Sequence, residues 1–130
     1  MSQSSFEAEV KHFLTFIRTL KIEGLALAAL MLVLTYKSGT SLWFLPITFL
    51  LFDLSMIGYA LNTKIGAYTY NIGHSTIAPT VLLISGILAN NNTSQAWAFA
   101  WLFHIGIDRA MGYGLKHTTS FKDTHLGKLR

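Results

Sequence analysis

Residues 24–36 read GLALAALMLVLTY, an unbroken apolar run with Lys21 and Glu23 before it and Lys37 after it. A helix rises 1.5 Å per residue, so a hydrocarbon core about 30 Å thick takes about 20 apolar residues to cross. Extended to residues 20–36, the run approaches that length and reads as a membrane span. The stretches 42–61, 67–89 and 95–116 read the same way. KSGTS, NTKIG and NNNTS separate the four, and segments this short and rich in turn formers can join only antiparallel neighbours. Lipid leaves no partner for free backbone groups, so only helices or closed barrels cross it, and runs this continuous are not barrel strands. The expected fold is all-α: one integral-membrane domain over residues 1–130, an up-down bundle of four transmembrane helices.

Composition points the same way. Of 130 residues, 52% are hydrophobic and 12% charged, and the mean hydropathy is +0.44. A soluble domain carries about 25% charged residues, so this chain lacks the polar groups to cover a water-facing surface. The same figures exclude a disordered chain. With no cysteine, a disulfide framework, a zinc–thiolate site and thiol catalysis drop out together.

The flanks differ from the spans. Over residues 1–19, Phe6, Val10, Phe13, Leu14 and Ile17 recur at helical spacing, with Glu7, Glu9, Lys11, His12 and Arg18 on the other face. That pattern predicts an amphipathic helix lying in the membrane interface. Residues 117–130 form a polar, basic tail. With four spans, both ends and the NTKIG loop share one side, which holds Lys11, Arg18, Lys21, Lys64, Lys116, Lys122, Lys128 and Arg130. Lys37 alone faces the other side, so the positive-inside rule puts both termini in the cytoplasm of an inner-membrane, multi-pass protein. The basic excess thus reports orientation, and no nucleic-acid partner is expected.

Ionisable groups inside a bilayer cost several kcal/mol, so each needs a partner or a purpose. Glu23 lies in the first span, Asp53 in the second, His74 in the third with Asn71 one turn before it, and His104, Asp108 and Arg109 in the fourth. Counted from the cytoplasmic ends, Asp53, His74 and Asp108 lie about seven to nine residues deep, His104 about twelve and Glu23 about four. Spans running in opposite directions have no reason in sequence order to agree in depth, so the groups are expected to converge. The three carboxylates and Arg109 leave two uncompensated negative charges, so either two carboxyls are protonated or a cation resides there. Two imidazoles with carboxylates suit a divalent ion such as Zn, Fe or Mn, giving Glu23, Asp53, His74, His104 and Asp108 as candidate ligands.

Plainer readings stand beside this one. Asp53 and Arg109 suit a buried ion pair that sets helix register. Glu23 is shallow enough to reach headgroup water, and a lone intramembrane His commonly bonds helix to helix. Pro79 frees carbonyls near Ser75, so a kink is expected beside His74. Trp43, Trp97 and Trp101 read as interface-belt residues. In the tail, Asp123 and His125 suit either a solvated basic end or a segment from Phe121 to Leu126 folded over the mouth of the site, and the second is the expectation taken here.

The motifs LKIEGLAL (20–27), FDLSMIGY (52–59), YNIGH (70–74) and HIGIDRAMGYGLKHTTSFKDTHLG (104–127) resemble the bacterial domain-of-unknown-function family numbered 4260, small integral membrane proteins of about this length. The resemblance implies that Glu23, Asp53, Tyr70, Asn71, His74, His104, Asp108, Arg109, Tyr113, Gly114, Lys116, Lys122, Asp123 and His125 stand at family motif positions. It implies no activity, so function rests on the residues. The reading favoured is a metal-dependent intramembrane hydrolase or oxidoreductase acting on a lipid-like or apolar substrate. Asp53, Asp108 and Arg109 would carry the chemistry, with Asn71, Lys116, Asp123 and His125 as further binding residues. The alternatives are a haem module with His74 and His104 as axial ligands, or a cation or proton transport subunit that needs homo-oligomerisation. The outer halves LALAALMLVL, LWFLPITFLL and PTVLLISGIL are dry, which favours a one-sided cavity among membrane lipids over a pore.

Overall fold

Ser2 opens the first helix, its hydroxyl accepting the Ser5 N–H, and α1 then runs without interruption over Gln3–Lys37. This computed structural model describes residues 1–115, 123–124 and 127–128. The helix expected over residues 1–19 and the stretch from residue 20 that it leads into form one continuous helix. No glycine or proline lies between Met1 and Glu23, so nothing in the sequence breaks the helix at that point.

The second apolar stretch starts as α2, Phe44–Phe49, and continues as a tighter 3-10 segment over Leu50–Ala60. Runs of 3-10 helix beyond three or four residues are uncommon because their hydrogen bonds are poorly aligned. Here the three-residue period gathers Phe52, Ser55 and Gly58 into one ridge, which lies antiparallel on α3, Thr63–His74. Gly58 meets Thr69, and a Cβ on Gly73 would come within 2.5 Å of the Ser55 Cβ. Packing holds the segment where backbone bonding alone would not.

The third stretch divides into α3, capped by Asn62 on the Ile65 N–H, and α4, Ile77–Leu88. Ser75 between them is extended, at φ −79° and ψ 144°. Pro79 lacks the N–H that would bond the Ser75 carbonyl, so the helix cannot run through, and the break falls beside His74 as expected. After a left-handed turn at Asn90 (φ 51°), Asn91 caps α5, Asn92–Ala110. Gly112 at φ +94° ends this helix short of the expected residue 116.

α5 touches α1, α2 and α4. Its antiparallel seam with α1 runs backbone to backbone: a Cβ on Gly106 would lie 2.7 Å from the Gly24 carbonyl oxygen and 2.8 Å from the Ala28 nitrogen. Above that seam, Met31, Phe99 and Leu102 form the apolar core, with Leu27, Leu34, Leu83 and Phe103 around them. Leu50, Leu54, Ile57, Ile72, Ile77, Ile84 and Leu88 face outward. By length and composition Thr63–Leu88, with mean hydropathy 1.3, is long and apolar enough to cross a membrane, and Phe44–Ala60 is a shorter apolar stretch. A two-residue antiparallel ladder, β1 (Asp123–Thr124) on β2 (Gly127–Lys128), is an addition to the all-helical expectation. The expected docking of Phe121–Leu126 over the site lies outside the described residues.

Candidate metal centre

Four side chains from three elements meet in the interior. Asp53 comes from the 3-10 segment, His74 is the last residue of α3, and His104 and Asp108 stand one turn apart on α5. The break after His74 frees that end of α3 to turn its imidazole inward. One ligand atom from each of the four lies within 4.8 Å of all the others.

The individual distances are more specific. His74 Nε2 stands 3.1 Å from His104 Nε2, 3.3 Å from Asp53 Oδ1 and 3.2 Å from Asp108 Oδ2. His104 Nε2 lies 3.3 Å from Asp53 Oδ1 and 3.1 Å from Asp108 Oδ2. Two nitrogens and two oxygens around a metal at bond lengths of 2.0–2.1 Å are separated by about 3.3–3.4 Å in a regular tetrahedron. Five of the six edges therefore have nearly the size that a first-row metal ion requires.

The tautomer of His74 sharpens this. Its Nδ1 is 3.0 Å from the Tyr70 carbonyl oxygen and 3.1 Å from Ser55 Oγ. The Ser55 hydroxyl already donates to the Phe52 carbonyl at 3.1 Å, so both neighbours of Nδ1 can only accept. Nδ1 thus carries a proton, and in the neutral imidazole Nε2 turns a lone pair toward two carboxylates and a second imidazole. Such a convergence needs positive charge among these atoms, a proton or a metal ion. The Tyr70 ring stacks on His74, centroids 3.8 Å apart and planes 5° from parallel, and fixes the imidazole plane. A backbone carbonyl behind a ligand histidine is the usual outer support of a metal site.

His104 is held differently. It is fully buried, with the rings of Phe49 and Phe52 at 4.2 and 5.6 Å. Its Nδ1 has no hydrogen-bond partner among the described residues. Its orientation comes from packing and from the cluster itself.

The remaining sequence candidates fall elsewhere. Glu23 is exposed and outside the group of four. The face of α1 turned to α5 is Gly24, Ala28, Met31 and Thr35, because glycine lets the backbones approach, and this rotates Glu23 outward. Arg109 donates from Nη2 to the His74 carbonyl oxygen at 3.5 Å, across the break, and its Cβ lies over Gly24. The ion pairs found at Asp53 are with His74 and His104, so a pairing with Arg109 is not what holds it among the described residues. Asn71 lines a groove of about 570 Å³ with Tyr68, Ile72, Ser75, Ile77, Ala78 and Leu115. Lys116 and His125 lie outside the described residues, and of Asp123 only the backbone pairing with Lys128 is described.

Sequence reading gave the supporting residues no role, although Tyr70 stood among the motif positions that the resemblance implies. Ser55 and Tyr70 stand two and four positions from ligands in FDLS and YNIGH, and that proximity was the available signal. Trp101, read as an interface residue, instead donates to the Gly73 carbonyl at 2.6 Å and stacks on Phe52. The two Nε2 atoms are 3.1 Å apart, nearer than the roughly 4 Å that two axial nitrogens at 2.0–2.1 Å from one iron require, which does not favour the haem reading.

A family model described as "Domain of unknown function (DUF4260)" matches residues 17–129. No curated protein and no solved structure matches the chain.

Proposed function

The chain belongs to the family described as a domain of unknown function, DUF4260, and we propose that it is a four-span membrane protein that holds one divalent metal ion between Asp53, His74, His104 and Asp108. The observation that carries this reading is the set of five nitrogen and oxygen separations between 3.1 and 3.3 Å. Two imidazoles and two carboxylates suit Zn, Fe or Mn. Their two negative charges neutralise a divalent ion, which removes the cost of burying them unpaired.

The membrane part of the proposal is supported by the apolar outer residues, by Thr63–Leu88, and by the basic asymmetry that puts both termini in the cytoplasm. The centre then lies in the cytoplasmic half of the bundle. A metal ion there polarises an oxygen or lowers the pKa of bound water to about 7, so the proposal is a metal-dependent enzyme acting on a lipid-like substrate. Asp53 and Asp108 hold the ion, and Arg109 steadies the His74 end of α3 rather than touching a substrate. Elemental analysis of protein purified in mild detergent tests the reading. One equivalent of a first-row metal, lost in His104→Ala with the helical content intact, supports it. A metal-free protein that binds no added Zn, Mn or Fe(II) overturns it.

A further inference from the structure

Resting on that reading, we infer that the metal keeps a coordination position open on the side of its two aspartates, and that this position takes an uncharged oxygen or nitrogen donor on an apolar molecule, in preference to an anionic headgroup.

Three observations lead there. The four ligands are buried unequally: the side chains of His74 and His104 are 4% and 0% exposed, those of Asp108 and Asp53 13% and 29%. The imidazoles therefore close the inner side, and access lies past the carboxylates. The separations agree. All five edges involving an imidazole are 3.1–3.3 Å, whereas the group as a whole extends to 4.8 Å. The sixth edge, between the two carboxylates, lies within the 4.8 Å that bounds the whole group and is the one that no imidazole sets. Four protein ligands fill a tetrahedral site, so the position inferred here is a fifth one, of the kind to which such centres expand during chemistry.

Charge and surroundings set the class of ligand. A divalent ion with two carboxylates and two neutral imidazoles sums to zero. An anion added to it would leave net charge in an apolar interior, a cost that a neutral donor avoids. Arg109, the cation nearest in sequence to the ligands, is directed at the His74 carbonyl. Leu50, Leu54 and Ile57, on the same 3-10 segment as Asp53, all face outward, so the outer face of the segment that carries this carboxylate is apolar. These features describe an uncharged lipid-like molecule, such as an ester, alcohol or aldehyde, whose oxygen reaches the metal past Asp53.

Cobalt(II) loaded into the purified protein gives a visible spectrum that reports coordination number. At a pH where the probe is uncharged, 1-octylimidazole serves as the neutral donor and octanoate as an anion of equal chain length. The expected result is a saturable change toward the weaker five-coordinate spectrum with octylimidazole, and binding of octanoate roughly tenfold weaker or absent. Leu54→Trp, which adds bulk on the outer face beside Asp53, should bind the same cobalt and need several times more octylimidazole. Cobalt bound with a spectrum that neither probe changes would mean a closed centre and would overturn this inference while leaving the metal reading intact. Tighter binding of octanoate would overturn the preference for a neutral ligand. Failure to bind cobalt at all would count against the metal reading itself.

Discussion

The two helix pairs that enclose the cluster are built on opposite plans. α1 and α5 are regular helices of 35 and 19 residues whose backbones meet at Gly24 and Gly106. This pair presents His104 and Asp108 from one continuous face, one turn apart. On the other side the chain is irregular: the 3-10 segment carries Asp53, and α3 stops at His74 before an extended Ser75. The regular pair is a frame whose geometry follows from small residues and helical period. The irregular pair bends backbone that would otherwise run straight, and both bends lie at ligands. Tight winding and broken helices cost stability, and proteins concentrate such features where geometry serves a site.

Substitutions separate the two plans, starting with the frame. Gly106→Leu drives a side chain into the Gly24 carbonyl and the Ala28 nitrogen, and should cost roughly 3 kcal/mol or prevent folding. Thermal unfolding in detergent reads this, and an unchanged midpoint would mean that the frame is looser than described. Next is the ligand carried by the frame. Asp108→Asn should leave the melting of the metal-free protein nearly unchanged while weakening metal binding by roughly 100-fold or more, measured by competition with a chelator. Equal losses of metal binding and metal-free stability would erase the distinction between frame and site.

On the irregular side, Ser55→Ala should weaken metal binding by roughly tenfold, because an acceptor behind His74 Nδ1 is lost while Tyr70 still holds it. Ser55→Thr, which keeps the hydroxyl, should recover most of it. If alanine and threonine behave alike, Ser55 serves packing against Gly73 and not the imidazole. The smallest effect belongs to Glu23→Gln. An exposed residue off the packed face should change metal content and melting within error, and a loss of metal would return Glu23 to the ligand set.

Much of the site was legible before any coordinates. Asp53, His74, His104 and Asp108 stand in apolar stretches at similar counts from the same side, and buried charge in such surroundings has to find partners. The break beside His74 was legible too, because proline removes a specific hydrogen bond. Glu23, the shallowest of the candidates by residue count, was kept among the ligands, yet such a count says nothing about rotation about the helix axis. That angle was set by which face of α1 could approach α5 most closely. Arg109 was legible as a buried cation but not as a residue reaching the carbonyl left free at the end of α3.

Local chemistry determined several things without tertiary help: where apolar stretches begin and end, which residues cap helices, that Pro79 breaks one, and that four polar side chains stand inside apolar stretches. These follow from backbone bonding and hydrophobic period, which act over a few residues. Only the tertiary structure decided that residues 50–60 wind tightly to lay Ser55 on Gly73, and that the Ser55 hydroxyl joins the Tyr70 carbonyl at His74 Nδ1. Each depends on the distance between segments far apart in the chain. A separation of 3.1 Å between two imidazole nitrogens is a property of how three elements pack together, and no single stretch of sequence carries it.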